Sequence, residues 1–241
     1  GIYKMQGPRV YSKPPIEVYY HYLNCGFRVA ASSGSDKMGL NPPMGSARAY
    51  VKTEGPLSYD SWVEGIRKGR TFISNYPLIE FSVNGKEPGD TLSVQSGKVQ
   101  LLVKARAMSL EPYEVLEIIH NGQTVRKVKP SGKNYTAVLE EKIEVERGGW
   151  IAARAHGPKM LEYGRTWWKM PVFAHTSPIY IDMPGRPAPA AESASLFLDQ
   201  LTYLQRWAES EANFPTADNK KEALSLIARA QTIYRKLTER E

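Results

Sequence analysis

"EVLEIIHNGQTVRKV", residues 114 to 128, sets two β-type runs on either side of Asn121-Gly122. An Asn-Gly pair supplies the two positive-φ positions that a type I′ turn needs, so this is the strongest hairpin signal in the chain. The period of two persists around it. "VQLLVKARA" (99 to 107) places Val99, Leu101, Val103, Ala105 and Ala107 on one side, with Gln100, Lys104 and Arg106 opposite. "YTAVLEEKIEV" (135 to 145) sets Ala137, Leu139, Ile143 and Val145 against Thr136, Glu140, Lys142 and Glu144. With "LIEFSV", "WIAARA" and "PIYIDM", this gives roughly seven or eight short strands, the number a β-sandwich of immunoglobulin-like kind requires. The expectation is therefore such a sandwich over residues 77–183. Cys25 is the only cysteine, so the match is architectural and no internal disulfide exists. A lone Cys at a helix end reads as a small buried hydrophobe.

Working outward, the pattern changes on both sides. Upstream, "PPIEVYYHYLNCGF" (14 to 27) predicts a helix with prolines at its entry and Gly26 as its stop. Phe27 to Ala31 then reads as a short buried strand and "ARAYV" (47 to 51) as another. "LSYDSWVEGIRKGRT" (57 to 71) reads as a helix with Ser58 as N-cap, Asp60 in the first turn, Arg67 and Lys68 in the last, and Gly69 closing it. "TFISN" (71 to 75) completes a helix, strand, strand, helix, strand order that suits the tail of an α/β unit over residues 1–76. Downstream, "PGRPAPAA" (184 to 191) is a linker.

Beyond the linker, residues 192–241 carry two helical stripes. Phe197, Leu201, Leu204 and Ala208 form one; Ala223, Leu224, Ile227, Ala230, Tyr234 and Leu237 form the other. Thr216 is placed to cap the second helix. A helical hairpin results, and its stripes must be covered by each other and by something more, for which the sandwich is the candidate. The expected class is α+β: a partial, barrel-derived α/β segment, a sandwich and a C-terminal helical hairpin.

The composition narrows the function. The 241 residues carry 41% hydrophobic residues and a net charge of +7, with Lys and Arg scattered among Asp and Glu. The excess forms no basic block, which argues against nucleic acid as a partner. No run approaches the roughly 18 apolar residues of a membrane span.

His21, His120, His156 and His175 have neither HxH nor HExxH spacing. His120 and His156 fall in or at the ends of strands, where hydrogen-bonded structural roles are the rule, and His21 on the first helix reads as a surface or packing residue. Asp36, behind Gly34-Ser35, stands just past a predicted buried strand. α/β barrels place ligands and catalysts there, while the same residue is also a common turn cap. Ser33 is in no G-x-S-x-G elbow, and the glycine-rich stretches lack phosphate-binding fingerprints. "YGRTWWKM" (163 to 170) offers an aromatic and basic surface in which Trp167 and Trp168 either stack on a sugar or pack internally.

"YYHYLNCGFRVAASSGSD", "NPPMGSARAYV" and "IRKGRTFISNYPLIEFSVNGKEPGD" resemble, in order and spacing, the closing part of PHP-type metallohydrolases (polymerase and histidinol phosphatase domain), especially the carbaryl-hydrolase-like CehA/McbA branch. "WIAARAHG" and "HTSPIYIDMPGRP" are similar to the β-rich extension that follows the catalytic domain in bacterial members. The resemblance spans about residues 10 to 185. It implies a divalent metal (Zn, Mn or Fe), held by an early HxH motif, further ligands, and a late Asp that Asp36 matches. It also implies hydrolysis of an ester, amide or phosphoester and a periplasmic or extracellular location; Arg48 and Asn75, near predicted strand ends facing the same mouth, are then candidates to orient substrate, with a surface salt bridge for Arg48 and a turn for Asn75 as the alternatives.

The early HxH has no counterpart here, and Met38 stands where a His often follows the late Asp. The expectation is thus the supporting C-terminal part of such a hydrolase, inactive alone, with an upstream catalytic segment as partner. Two alternatives stand beside it: a non-catalytic module binding carbohydrate or protein, and a structural extension of an upstream domain.

Overall fold

The structure is a computed structural model, and it describes residues 14–37, 43–162 and 169–239. In chain order the elements are α1 (Pro15–Asn24), β1 (Arg48–Val51), α2 (Tyr59–Arg67), β2 (Thr71–Ser74), β3 (Leu78–Val83), β4 (Thr91–Ser93) and β5 (Val99–Met108). They continue with β6 (Val115–His120), β7 (Gln123–Val128), β8 (Ala137–Val145), β9 (Gly149–Glu162), β10 (Lys169–Thr176) and β11 (Ile179–Asp182). Helices α3 (Ala191–Ser210) and α4 (Ala217–Thr238) close the chain. Two compact units result: Arg28–Pro187, and the residues through Phe27 together with those from Ala188 onward.

The first unit holds two sheets. β3, β5 and β8 form an antiparallel sheet in the order β3-β5-β8. The alternation read in the sequence sets its faces: Leu101, Val103, Ala105 and Ala107 are buried, and Lys104 and Arg106 are exposed. The larger sheet is mixed and has eight strands. β9 is its axis, with β6 along one edge and β10 and β11 in succession along the other. β7 extends β6, β4 runs parallel to β11, and β2 then β1 continue outward from β10. Phe81, Leu101 and Val103 of the small sheet share one core with Leu116, Ile118, Ile151, Val172 and Ile179 of the large one. Fully burying each such side chain contributes about 1.5–3 kcal/mol.

Turn chemistry follows the residues that demand it. Asn121 and Gly122 adopt φ of 49° and 87° between β6 and β7, as the Asn-Gly pair requires. The Ser58 hydroxyl accepts from the Ser61 N–H to cap α2, and the Ser61 side chain accepts from the Ser58 N–H in return.

Two expectations upstream are corrected. Phe27 to Ala31 is not a buried strand: among the described residues the stretch pairs with no strand, and Val29 is 42% exposed. The reason lies at Ala31, whose backbone groups are taken by hydroxyls. Thr71 Oγ1 donates to the Ala31 carbonyl at 2.6 Å, and Ser177 Oγ accepts from the Ala31 N–H at 2.8 Å. The second correction concerns direction. β1 and β2 run antiparallel, and β2 pairs antiparallel with β10, so the strands of this segment belong to the large sheet and form no parallel α/β layer. Helix α2 connects them and lies against β1 through Gly65, where a side chain would stand 2.4 Å from Val51 Cγ1.

The second unit is helical. α3 and α4 pack along each other, and α1 supplies the further cover: Cys25, Ala190, Ala194, Phe197 and Leu237 form its core, with Val18 and Tyr234 against it. Tyr22 stacks on Phe197 at 4.6 Å between ring centroids, and Phe197 meets Tyr234 at 5.2 Å. The Thr216 hydroxyl caps α4 by accepting from the Asn219 N–H. Among the described residues no helix is long and apolar enough to cross a membrane.

Candidate functional site

Asp36 lies near the end of the extended stretch from Arg28, exposed, with φ of 46°. The left-handed conformation is one that Asp tolerates better than most residues. Its loop is organised by the preceding residue: Ser35 Oγ accepts from the Gly45 N–H at 2.7 Å and donates to the Ala47 carbonyl at 3.3 Å. Among the described residues no three His, Cys, Asp or Glu side chains gather where they could hold a metal ion. A catalytic divalent ion needs about three protein ligands and an open position. One carboxylate on an exposed loop does not fit that requirement. Met38 lies outside the described residues, as do Trp167 and Trp168.

Arg48 and Asn75 are brought together. Arg48 stands opposite Ser74 at the edge of the large sheet, and its guanidinium reaches the Asn75 carbonyl at 3.4 Å and the Tyr50 hydroxyl at 3.2 Å. Asn75 itself is buried, and both ends of its amide are engaged by β10. Nδ2 donates to the Pro171 carbonyl at 2.5 Å, and Oδ1 accepts from the Phe173 N–H at 2.9 Å. The register of β10 against β9 slips between Pro171 and Phe173, while on the other edge of β10 Asn75 continues the β2 ladder through its backbone N–H and its amide. Arg48 stays exposed beside it.

The structure also assembles a charged group that spacing did not reveal. Glu117 on β6 receives Arg154 Nε at 3.0 Å and Nη2 at 2.6 Å, and His156 Nε2 lies 3.0 Å from the same carboxylate oxygen. Burial works against ionisation of Glu117, but Arg154 and His156 outweigh it and hold the carboxyl below the usual range. Alternation marks these three as the side of the strands away from the core, and the pairing of β6 with β9 makes them neighbours. His120 and His175 are neutral groups, each pushed down to about 4 chiefly by burial. Burial pushes the Cys25 thiol up to about 11, which leaves it unreactive at neutral pH.

A cleft of about 680 Å³ opens in the first unit between the β1–β2 pair and the small sheet. That volume falls in the range of ligand sites. Tyr50 and Phe72 wall one side, stacked at 4.5 Å with their rings 4° from parallel. Ile79 to Ser82 of β3 wall the other. The charged groups at its margin are paired internally, Lys52 with Glu87, Arg106 with Glu80 and Lys104 with Glu140.

No family model, no curated protein and no solved structure matches this chain.

Proposed function

We propose that this chain is the C-terminal, non-catalytic portion of a PHP-type metal-dependent hydrolase, with Asp36 contributing one ligand to a centre whose other ligands come from an upstream catalytic segment. In this reading the two-sheet unit is an immunoglobulin-like sandwich that follows the barrel of that upstream segment. The observation that supports it most is the stretch from Arg28 to Asp36. It is extended and anchored at Ala31 by Thr71 and Ser177, it pairs with no strand, it leaves Val29 exposed, and it ends in a carboxylate without a companion ligand among the described residues. An upstream barrel packed alongside this stretch would cover Val29 and place Asp36 at its mouth.

The reading frame upstream of Gly1 tests this directly: an in-frame HxH supports it, and a stop codon followed by a promoter overturns it. Purified protein gives a second test. Without the catalytic segment it should hold no stoichiometric Zn, Mn or Fe and turn over no ester or phosphoester substrate. Tight metal with turnover by these 241 residues alone would sink the proposal.

A further inference from the structure

The small sheet ends on an unused edge. Among the described residues β3 pairs only with β5, and the Asn84 N–H donates to the Leu102 carbonyl at 2.9 Å, which fixes the parity of the ladder. Stepping by two along the register, Ser82, Glu80 and Leu78 bond to β5, so Ile79 and Phe81 turn their N–H and C=O groups the other way. Val83, next in that row, is satisfied by the turn residue Lys86. At Ile79 and Phe81 no further strand follows among the described residues, and both residues line the cleft, together with residues of β5 and β8. Buried backbone groups are normally paired, and an added strand would lie about 4.8 Å away.

We infer that the cleft binds an extended peptide segment, which adds to β3 as a fourth strand of the small sheet. The N–H and C=O groups of Ile79 and Phe81, which take no strand partner among the described residues, supply its ladder, and the stacked Tyr50 and Phe72 receive its apolar side chains. Lys52 and Arg106 at the margin are already neutralised by Glu87 and Glu80, so the peptide it fits alternates apolar with uncharged polar residues, and its binding is insensitive to salt. The inference does not depend on any hydrolase assignment.

The probe is a terminally blocked peptide in which valine alternates with threonine between flanking lysines, titrated into ¹⁵N-labelled full chain. The expected result is movement of the Ile79 and Phe81 amide signals and at least a tenfold slowing of their hydrogen exchange. N-methylation of the peptide at alternate residues should weaken binding at least tenfold, and this arm leaves the protein unaltered. Ile79→Pro, which removes an N–H that β3 does not use in its own ladder, should weaken binding similarly in a variant verified to melt cooperatively. Unmoved Ile79 and Phe81 amides at millimolar peptide overturn the inference. So does equal binding of the N-methylated peptide, as does a saccharide that perturbs the Tyr50 and Phe72 rings while the peptide does not.

Discussion

The Asn75 side chain mends β10 at Phe173: its Oδ1 accepts the Phe173 N–H at 2.9 Å while the Asn75 N–H returns to the Phe173 carbonyl at 3.1 Å. A side chain thus acts as a ladder partner where Pro171 has no N–H to offer.

Asn75→Ala should therefore destabilise the first unit by roughly 3 kcal/mol, because the Phe173 N–H and the Pro171 carbonyl are left without partners in a buried site. Asn75→Asp should cost more, since it sets a carboxylate beside the Pro171 carbonyl. Urea denaturation checks both, with a lowered midpoint and an unchanged slope expected.

Gly89 and Gly85 offer a paired test of close approach. At Gly89 an added Cβ would stand 1.9 Å from the Lys68 carbonyl oxygen with φ of 91°, while at Gly85, with φ of 76°, nothing lies within 4 Å. Gly85→Ala should cost about 1–2 kcal/mol from the left-handed backbone alone. Gly89→Ala should cost more than about 3 kcal/mol, because backbone must move. Equal melting temperatures for the two variants would refute the close approach of the Gly89 loop to the end of α2.

Ser177→Ala should release the stretch that ends in Asp36. Without the hydroxyl, the Ala31 N–H loses its acceptor and Thr71 loses a neighbour 2.7 Å away. Hydrogen exchange at Ala31 should accelerate by at least tenfold, while amides in β9 keep their protection. Unchanged exchange would mean that Ser177 does not hold this segment.

Acid should weaken the fold in two stages. His120 and His175 have folded values near 4, below the unfolded value of about 6.5, so the unfolded chain binds more protons between those limits and stability falls as pH drops through them. Each contributes on the order of 3 kcal/mol to that fall. Glu117, whose folded value is depressed, contributes stability above its unfolded value of about 4.3 and loses it as pH falls further through the folded value. Stability measured from pH 8 to 3 should show the first decline flattened in His120→Gln, and the second flattened in Glu117→Gln.

Local chemistry was legible in the sequence wherever a few neighbouring residues decide the outcome. Asn121-Gly122 turned, Ser58 and Thr216 capped their helices, and the alternation of Val99 to Ala107 marked the buried side of β5. Long-range pairing was not legible. "ARAYV" and "TFISN" have strand composition, but nothing in them states that β2 will lie antiparallel to β10. Period fixes which way a side chain faces, and it leaves the choice of partner open.

Phe27 to Ala31 was misread for the same reason, since a β-type composition forms a strand only where an edge receives it. For the candidate sites, Asp36 was visible as an acidic loop residue and Asn75 as a polar residue near a strand end. The engagement of Asn75 with Pro171, the meeting of Glu117 with Arg154 and His156, and the cleft beside β3 depend on residues brought from distant positions.

The pairing of Ser74 with Ala174 carries a consequence for biosynthesis. The β1–β2 pair emerges from the ribosome about 100 residues before the strand that will shelter it, a delay of about 5–20 s at ordinary rates of translation. During that interval its inner edge is open to any nascent neighbour, so yield in a crowded cell should depend on how quickly elongation reaches β10, and slow codons between β2 and β9 should favour aggregation over folding.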